Sequence, residues 1–201
     1  MAGGALITIE AKIRQGFHRA VVGDLEITSD RDPKYNCIAW AMGEDERYWW
    51  PDQDGYWPDG VERSVTVQAF IEAFATKGFV PCAGPDPIAG KEIVALYTLN
   101  GSPTHAAFLH HSGKWASKLG AQWDIHHKDL PCIGGNTGAR YGDATHYFQR
   151  DLPPVSRPVK SNAEYAMNKL AGWTNSDLPP EIAPKKPVRA VKQRPIRGKK
   201  K

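Results

Sequence analysis

Between residues 93 and 119 strand-length segments follow one another with almost no room between them. Ile93 to Leu99, Thr104 to His110 and Lys114 to Leu119 are each rich in apolar residues, with Gly101-Ser-Pro and Ser112-Gly113 marking the turns. Connections this short join antiparallel neighbours, so this stretch predicts a β-meander. Trp123 to Leu130 and Thr145 to Arg150 add one or two strands around the Gly-rich connection GGNTGARYG, which has no Walker spacing and is not read as a phosphate loop.

The first half has a different texture. Strands expected near Ala5 to Ile9 and Asp24 to Thr28 precede the polar run TSDRDPKYN, the composition of a loop that ends by capping a helix. Cys37-Ile-Ala-Trp-Ala-Met, closed by Gly43, then predicts a short buried helix with Cys37 in its first turn. Residues 44 to 60 carry five aromatics among prolines, glycines and acids without a regular period, and predict a long ordered loop. From Ser64 to Lys77, Val67, Phe70, Ile71 and Phe74 form one helical stripe, with Ser64 as candidate cap and Gly78 past the end. The fold class predicted is α+β, the helix that begins at Cys37 packed on an antiparallel sheet.

The expected organisation is an N-terminal extension with strands over 1–29 and a core over 30–150. A linker with a terminal helix at Ser161 to Leu170 follows over 151–181, and a basic tail over 182–201. The tail holds nine Lys or Arg and no acid, which leaves 17 basic residues against 22 acidic in the first 181, a balance of −5. Such a tail cannot bury enough apolar surface to offset its ordering entropy and is read as disordered, available to nucleic acid or an acidic partner. The remaining composition, 41% hydrophobic and 24% charged over the chain, excludes wholesale disorder. No apolar run approaches the ~20 residues of a spanning helix, and the N-terminus lacks a basic region followed by an apolar one. The expected location is the cytoplasm, or export by a specialised secretion system.

Three cysteines, Cys37, Cys82 and Cys132, without a C-x-x-C pair fit neither a disulfide framework nor a zinc cluster. Cys37 differs from the other two by its helix start, where the dipole and unpaired N–H groups favour thiolate over thiol and can receive an oxyanion. It is therefore expected to alkylate below the pH of an ordinary thiol. Cys82 and Cys132 are assigned to structure. His105 enters a strand just before small Ala106 and Ala107, where a helix has room to approach, and is the candidate general base and acid. Six of the seven histidines lie between residues 105 and 146, yet adjacent pairs point to opposite faces of a strand and no H-E-x-x-H occurs. No dedicated metal site and no cofactor is expected. Trp40 is expected inside, with some of Trp49, Trp50 and Trp57 lining a substrate groove.

The order of YNCIAWA, then His105-Ala-Ala-Phe-Leu, a Gly-containing turn and KWASKLG, resembles the papain-like cysteine hydrolase superfamily, most closely its NlpC-type branch of cell-wall amidases and peptidases. It is also similar to an uncharacterised bacterial domain family marked by N-C-x-x-W-A, H-A-A, S-K-L-G and a later D-I-x-H, here Asp124-Ile125-His126-His127. The resemblance covers roughly residues 30 to 150. It implies a papain-like core with Cys37 as nucleophile, His105 as base, and a third polar residue whose place falls at Ser117. Asp124, His127 or a backbone carbonyl are the alternatives for that third role. The branch usually has Asp-Cys-Ser at the nucleophile, where this chain has Asn36-Cys37-Ile38. The activity implied is cleavage or rearrangement of a peptide, protein or peptidoglycan amide. The rival reading is a non-catalytic binding module on the same fold, with the basic tail as its working part.

Overall fold

The computed structural model describes residues 9–152. The elements are α1 (Ile9–Gln15), β1 (Leu25–Ile27), α2 (Cys37–Ala41), α3 (Val67–Ala75), β2 (Val80–Cys82), β3 (Lys91–Leu99), β4 (Ser102–Leu109), β5 (Trp115–Lys118), β6 (Asp124–His127) and β7 (Asp143–Asp151), with a 3-10 turn at Pro131–Ile133. The strands form one seven-stranded sheet in the order β1-β6-β5-β4-β3-β7-β2, and every pairing is antiparallel. Strands β3 to β5 are the expected meander, and β6 continues it within the added segment Trp123 to Leu130. β7 returns along the free edge of β3, and the short strands β1 and β2 close the two ends.

Pro81 in β2 explains why that strand is hard to read in advance. Proline cannot donate to a ladder, and β2 is an edge strand. Of the two N-terminal strands expected, Leu25–Ile27 is present and pairs with β6, so the folded unit begins upstream of residue 30. At the other, Ile9 instead opens helix α1. Residues 5–8 of that expected strand lie outside the described residues, as do the expected terminal helix and the basic tail. No described helix is long and apolar enough to cross a membrane.

The sheet is covered on both faces. On one, Val94, Leu96, Ala106, Phe108, Ala116 and Phe148 pack against α2, α3 and the aromatic loop. On the other, Ile93, Ala95, Tyr97, Ala107 and Ile125 pack against α1 and the segment around Leu130 to Tyr141. Period-two alternation sends neighbours on a strand to opposite faces, so the central strands are buried along both sides. All four residues of β5 are buried. The cap of α3 is Thr66, whose hydroxyl accepts from the Ala69 amide, while Ser64 bonds to Thr66 from outside the helix.

The aromatic loop belongs to the core. Trp49 is 0% and Trp57 2% exposed, so neither lines a groove, contrary to the sequence expectation. Trp57 packs on Phe70 at 5.0 Å and Trp49 on Tyr56 at 5.0 Å, and Trp50, partly buried, meets the edge of Phe70 at 5.7 Å. The physical reason is supply of apolar area: α2 and α3 are short, and these rings fill the space between them. The tryptophans that line a cleft of about 1000 Å³ are Trp40 and Trp115, both largely buried, with Phe108, His110 and His126.

Candidate active site

Asn36 sets the position of Cys37. Its side-chain oxygen accepts from the amides of Ala39 and Trp49, each at 3.2 Å, and its amide nitrogen donates to the Trp49 carbonyl at 2.7 Å. One buried side chain thus caps α2 and pins the aromatic loop to it. The residue before, Tyr35, donates to the carboxylate of Asp124, whose two oxygens lie 2.9 and 2.7 Å from the phenol. Asp124 also lies 3.4 Å from the ammonium of Lys118, which is wholly buried and sits 4.3 Å over the Tyr35 ring. A buried ion pair therefore holds the segment before Cys37 against β5 and β6.

Cys37 is buried, against the strand that carries His105. The Ala106 amide and the amides of Ile38 and Cys37 itself favour its thiolate, but burial outweighs them and pushes the thiol up to about 11. This corrects the expectation of a depressed thiol. Helix α2 has five residues, so its dipole is small, and the loss of solvent around a charged sulfur is the larger effect.

His105 lies on the other face of β4, with Ala107 beside it on that face and Ala106 under α2. Its ring stacks on Tyr141 at 4.0 Å and 10° between planes, and meets Tyr97 edge-on at 5.3 Å. The register of β4 against β3 shifts next to it, between Tyr97 and Thr98, which bends the strand at this point. His105 Nε2 lies 3.0 Å from Ser117 Oγ, and Ser117 Oγ lies 2.9 Å from His127 Nε2. His127 Nδ1 lies 2.8 Å from the Asp129 carbonyl oxygen. Burial holds both imidazoles towards the neutral form: His105 well below the ordinary histidine value, His127 at about 4. His105 Nδ1 is buried and has no hydrogen-bond partner, so no hydrogen bond joins it to Cys37.

The structure thus brings Ser117 to His105 and adds His127 behind it, while Asp124 goes to Tyr35 and Lys118. The β-period explains this division. Ser117 and Lys118 are neighbours on β5 and face opposite ways, and Asp124 and His127, three apart on β6, do the same. S-K-L-G and D-I-x-H each give one residue to the imidazole chain and one to the ion pair. Sequence reasoning missed Tyr35, Lys118 and Tyr141. The first lies two residues before Cys37 and the second adjoins Ser117, so the motifs contained them; Tyr141 lies in the Gly-rich connection, where no period marks it.

Cys82 is half-buried on β2. Cys132 is buried, its amide bonded to Asp129 Oδ1 at 3.0 Å and its thiol 3.1 Å from the Asp129 carbonyl. His110, His111 and His126 cluster, with ring centroids 3.8 and 4.4 Å apart, yet among the described residues no group of three or more His, Cys, Asp or Glu is placed to hold a metal ion.

The family model of a domain of unknown function, DUF7689, matches residues 26–149, from β1 to within β7. No curated protein and no solved structure matches the chain.

Proposed function

The chain belongs to the DUF7689 family of domains of unknown function, and we propose that it is a cysteine hydrolase of papain-like type acting on an amide bond. The observation that carries this reading is His105: one ring nitrogen is engaged by Ser117, and the other is buried without a partner on the strand against which Cys37 packs. An unpartnered buried nitrogen costs about 1–3 kcal/mol, which is reasonable where a proton is to be accepted.

Because α2 and the His105 ring lie on opposite faces of β4, the reaction requires the strand to turn at its register shift until Cys37 Sγ and His105 Nδ1 reach hydrogen-bond distance. The Cys37 thiol then transfers its proton to Nδ1 as sulfur bonds to the carbonyl carbon, and the carbonyl π electrons move to oxygen. The imidazolium returns that proton to the departing amine as the C–N bond breaks. Water, deprotonated by the same imidazole, cleaves the thioester and restores the thiol. Because burial favours both neutral forms, proton transfer accompanies attack, and no thiolate-imidazolium pair is stored beforehand.

The test is iodoacetamide labelling of each cysteine near neutral pH, read by peptide mass spectrometry. A hydrolase labels Cys37 faster than the more exposed Cys82, and His105→Ala abolishes the difference. With the thiol near 11, such labelling needs a base to deliver the sulfur. An inert Cys37 removes the proposal. It would favour the second reading, a non-catalytic binding module, for which the specific observation is a buried, protonated Cys37 with no hydrogen bond to His105.

A further inference from the structure

We propose that His127 is a positioning residue that, through Ser117, keeps His105 in the single tautomer protonated at Nε2 and bare at Nδ1. The positioning role rests on the hydrolase reading; the tautomer itself does not. The chain of donors has only one consistent direction. The Asp129 carbonyl can only accept, so His127 Nδ1, at 2.8 Å, carries the hydrogen. The Cys132 thiol also points at this carbonyl, 3.1 Å away, which gives the oxygen two donors for its two lone pairs. A neutral imidazole protonated at Nδ1 is an acceptor at Nε2, so the Ser117 hydroxyl donates to His127 at 2.9 Å. That hydroxyl has one proton. Its oxygen is then the acceptor facing His105, and His105 Nε2 must donate to it at 3.0 Å. The remaining nitrogen of His105 is a lone pair.

Each link is buried, with His105, Ser117 and His127 all at 0% exposure, so bulk water does not compete for these groups. The neutrality of both rings agrees with their burial. Serine alone is a weak orienter, since its hydroxyl can donate or accept. Paired with a second imidazole whose tautomer is fixed by a backbone carbonyl, it becomes a one-way acceptor. When His105 takes a proton at Nδ1, its Nε2–H is already directed at an oxygen polarised by His127.

The experiment is long-range 15N–1H correlation of the histidine rings in the full chain, for the wild type and for His127→Phe, which keeps a ring of similar size but removes the acceptor. The wild type should show His105 with pyridine-like Nδ1 and protonated Nε2. In His127→Phe, freed Ser117 can donate to His105, so the Nδ1-protonated tautomer should appear. Wild-type His105 protonated at Nδ1 overturns the inference without any variant. So does an unchanged His105 tautomer in a His127→Phe protein whose amide spectrum remains native. Loss of the wild-type tautomer in the variant, with Cys37 labelling unaltered, would uphold the tautomer control and count against the hydrolase reading. Slower labelling in step with the tautomer would support both.

Discussion

Asn36 makes three buried hydrogen bonds beside the candidate site. It satisfies two buried amides and one buried carbonyl, so Asn36→Ala removes a helix cap and leaves the Trp49 backbone without its partners. The expected loss is about 2–3 kcal/mol, read by urea unfolding, with Asn36→Asp recovering only the part that depends on accepting from the amides. The helix start at Cys37 was legible because a polar run ended in a capping residue before an apolar one. What Cys37 would do as an acid was not legible. The sequence shows the helix start, whereas the solvent taken away from the sulfur depends on the sheet and loops that cover it. Similarly, the place of Ser117 beside His105 follows from counting along two adjacent strands, but the further link to His127 needs the pairing of β5 with β6.

At the scale of elements, the meander and the two helices that pack on it were readable from turn signals and periodicity, because each is decided locally. Strand β7 was readable as a strand but not as the neighbour of β3, since nothing local specifies a partner so distant in the chain. The connection between β6 and β7 was opaque for a further reason: its conformation is dictated by close approach. Gly142 has a φ of +72°, and a Cβ there would overlap the Thr98 carbonyl. Gly142→Ala should therefore destabilise the fold by about 2 kcal/mol or more, measured by thermal unfolding. It should also displace the preceding Tyr141 from His105, seen as a change in the His105 ring resonances, since the two rings are stacked. The tryptophans show the converse difficulty. An aperiodic aromatic loop reads equally as a groove or as filling, and only the shortness of α2 and α3 decides for filling.

For the molecule as a whole, buried neutral histidines imply a defined response to acid. His105 and His127 have folded values below the ordinary 6.5 of the unfolded chain, with His127 at about 4. Their contribution is present above 6.5 and is lost as pH falls below it, for His127 down to about 4, because the unfolded chain binds protons there and the folded one does not. His127 alone accounts for about 3 kcal/mol over that interval. Urea unfolding at stepped pH should show stability falling from about 6.5 downward, and His127→Phe should flatten the slope; a midpoint constant down to about 4.5 would contradict buried neutral imidazoles. The two-sided burial of β5 has another consequence, for assembly. A slip of this strand by one residue that carries Lys118 into the space between two imidazoles also carries Ser117 into the place of Ala116 and leaves Leu119 opposite Asp124, so a misaligned hairpin fails on both faces at once. The paired polar residues work as an alignment key, rejecting the neighbouring registers that a uniformly apolar strand would tolerate.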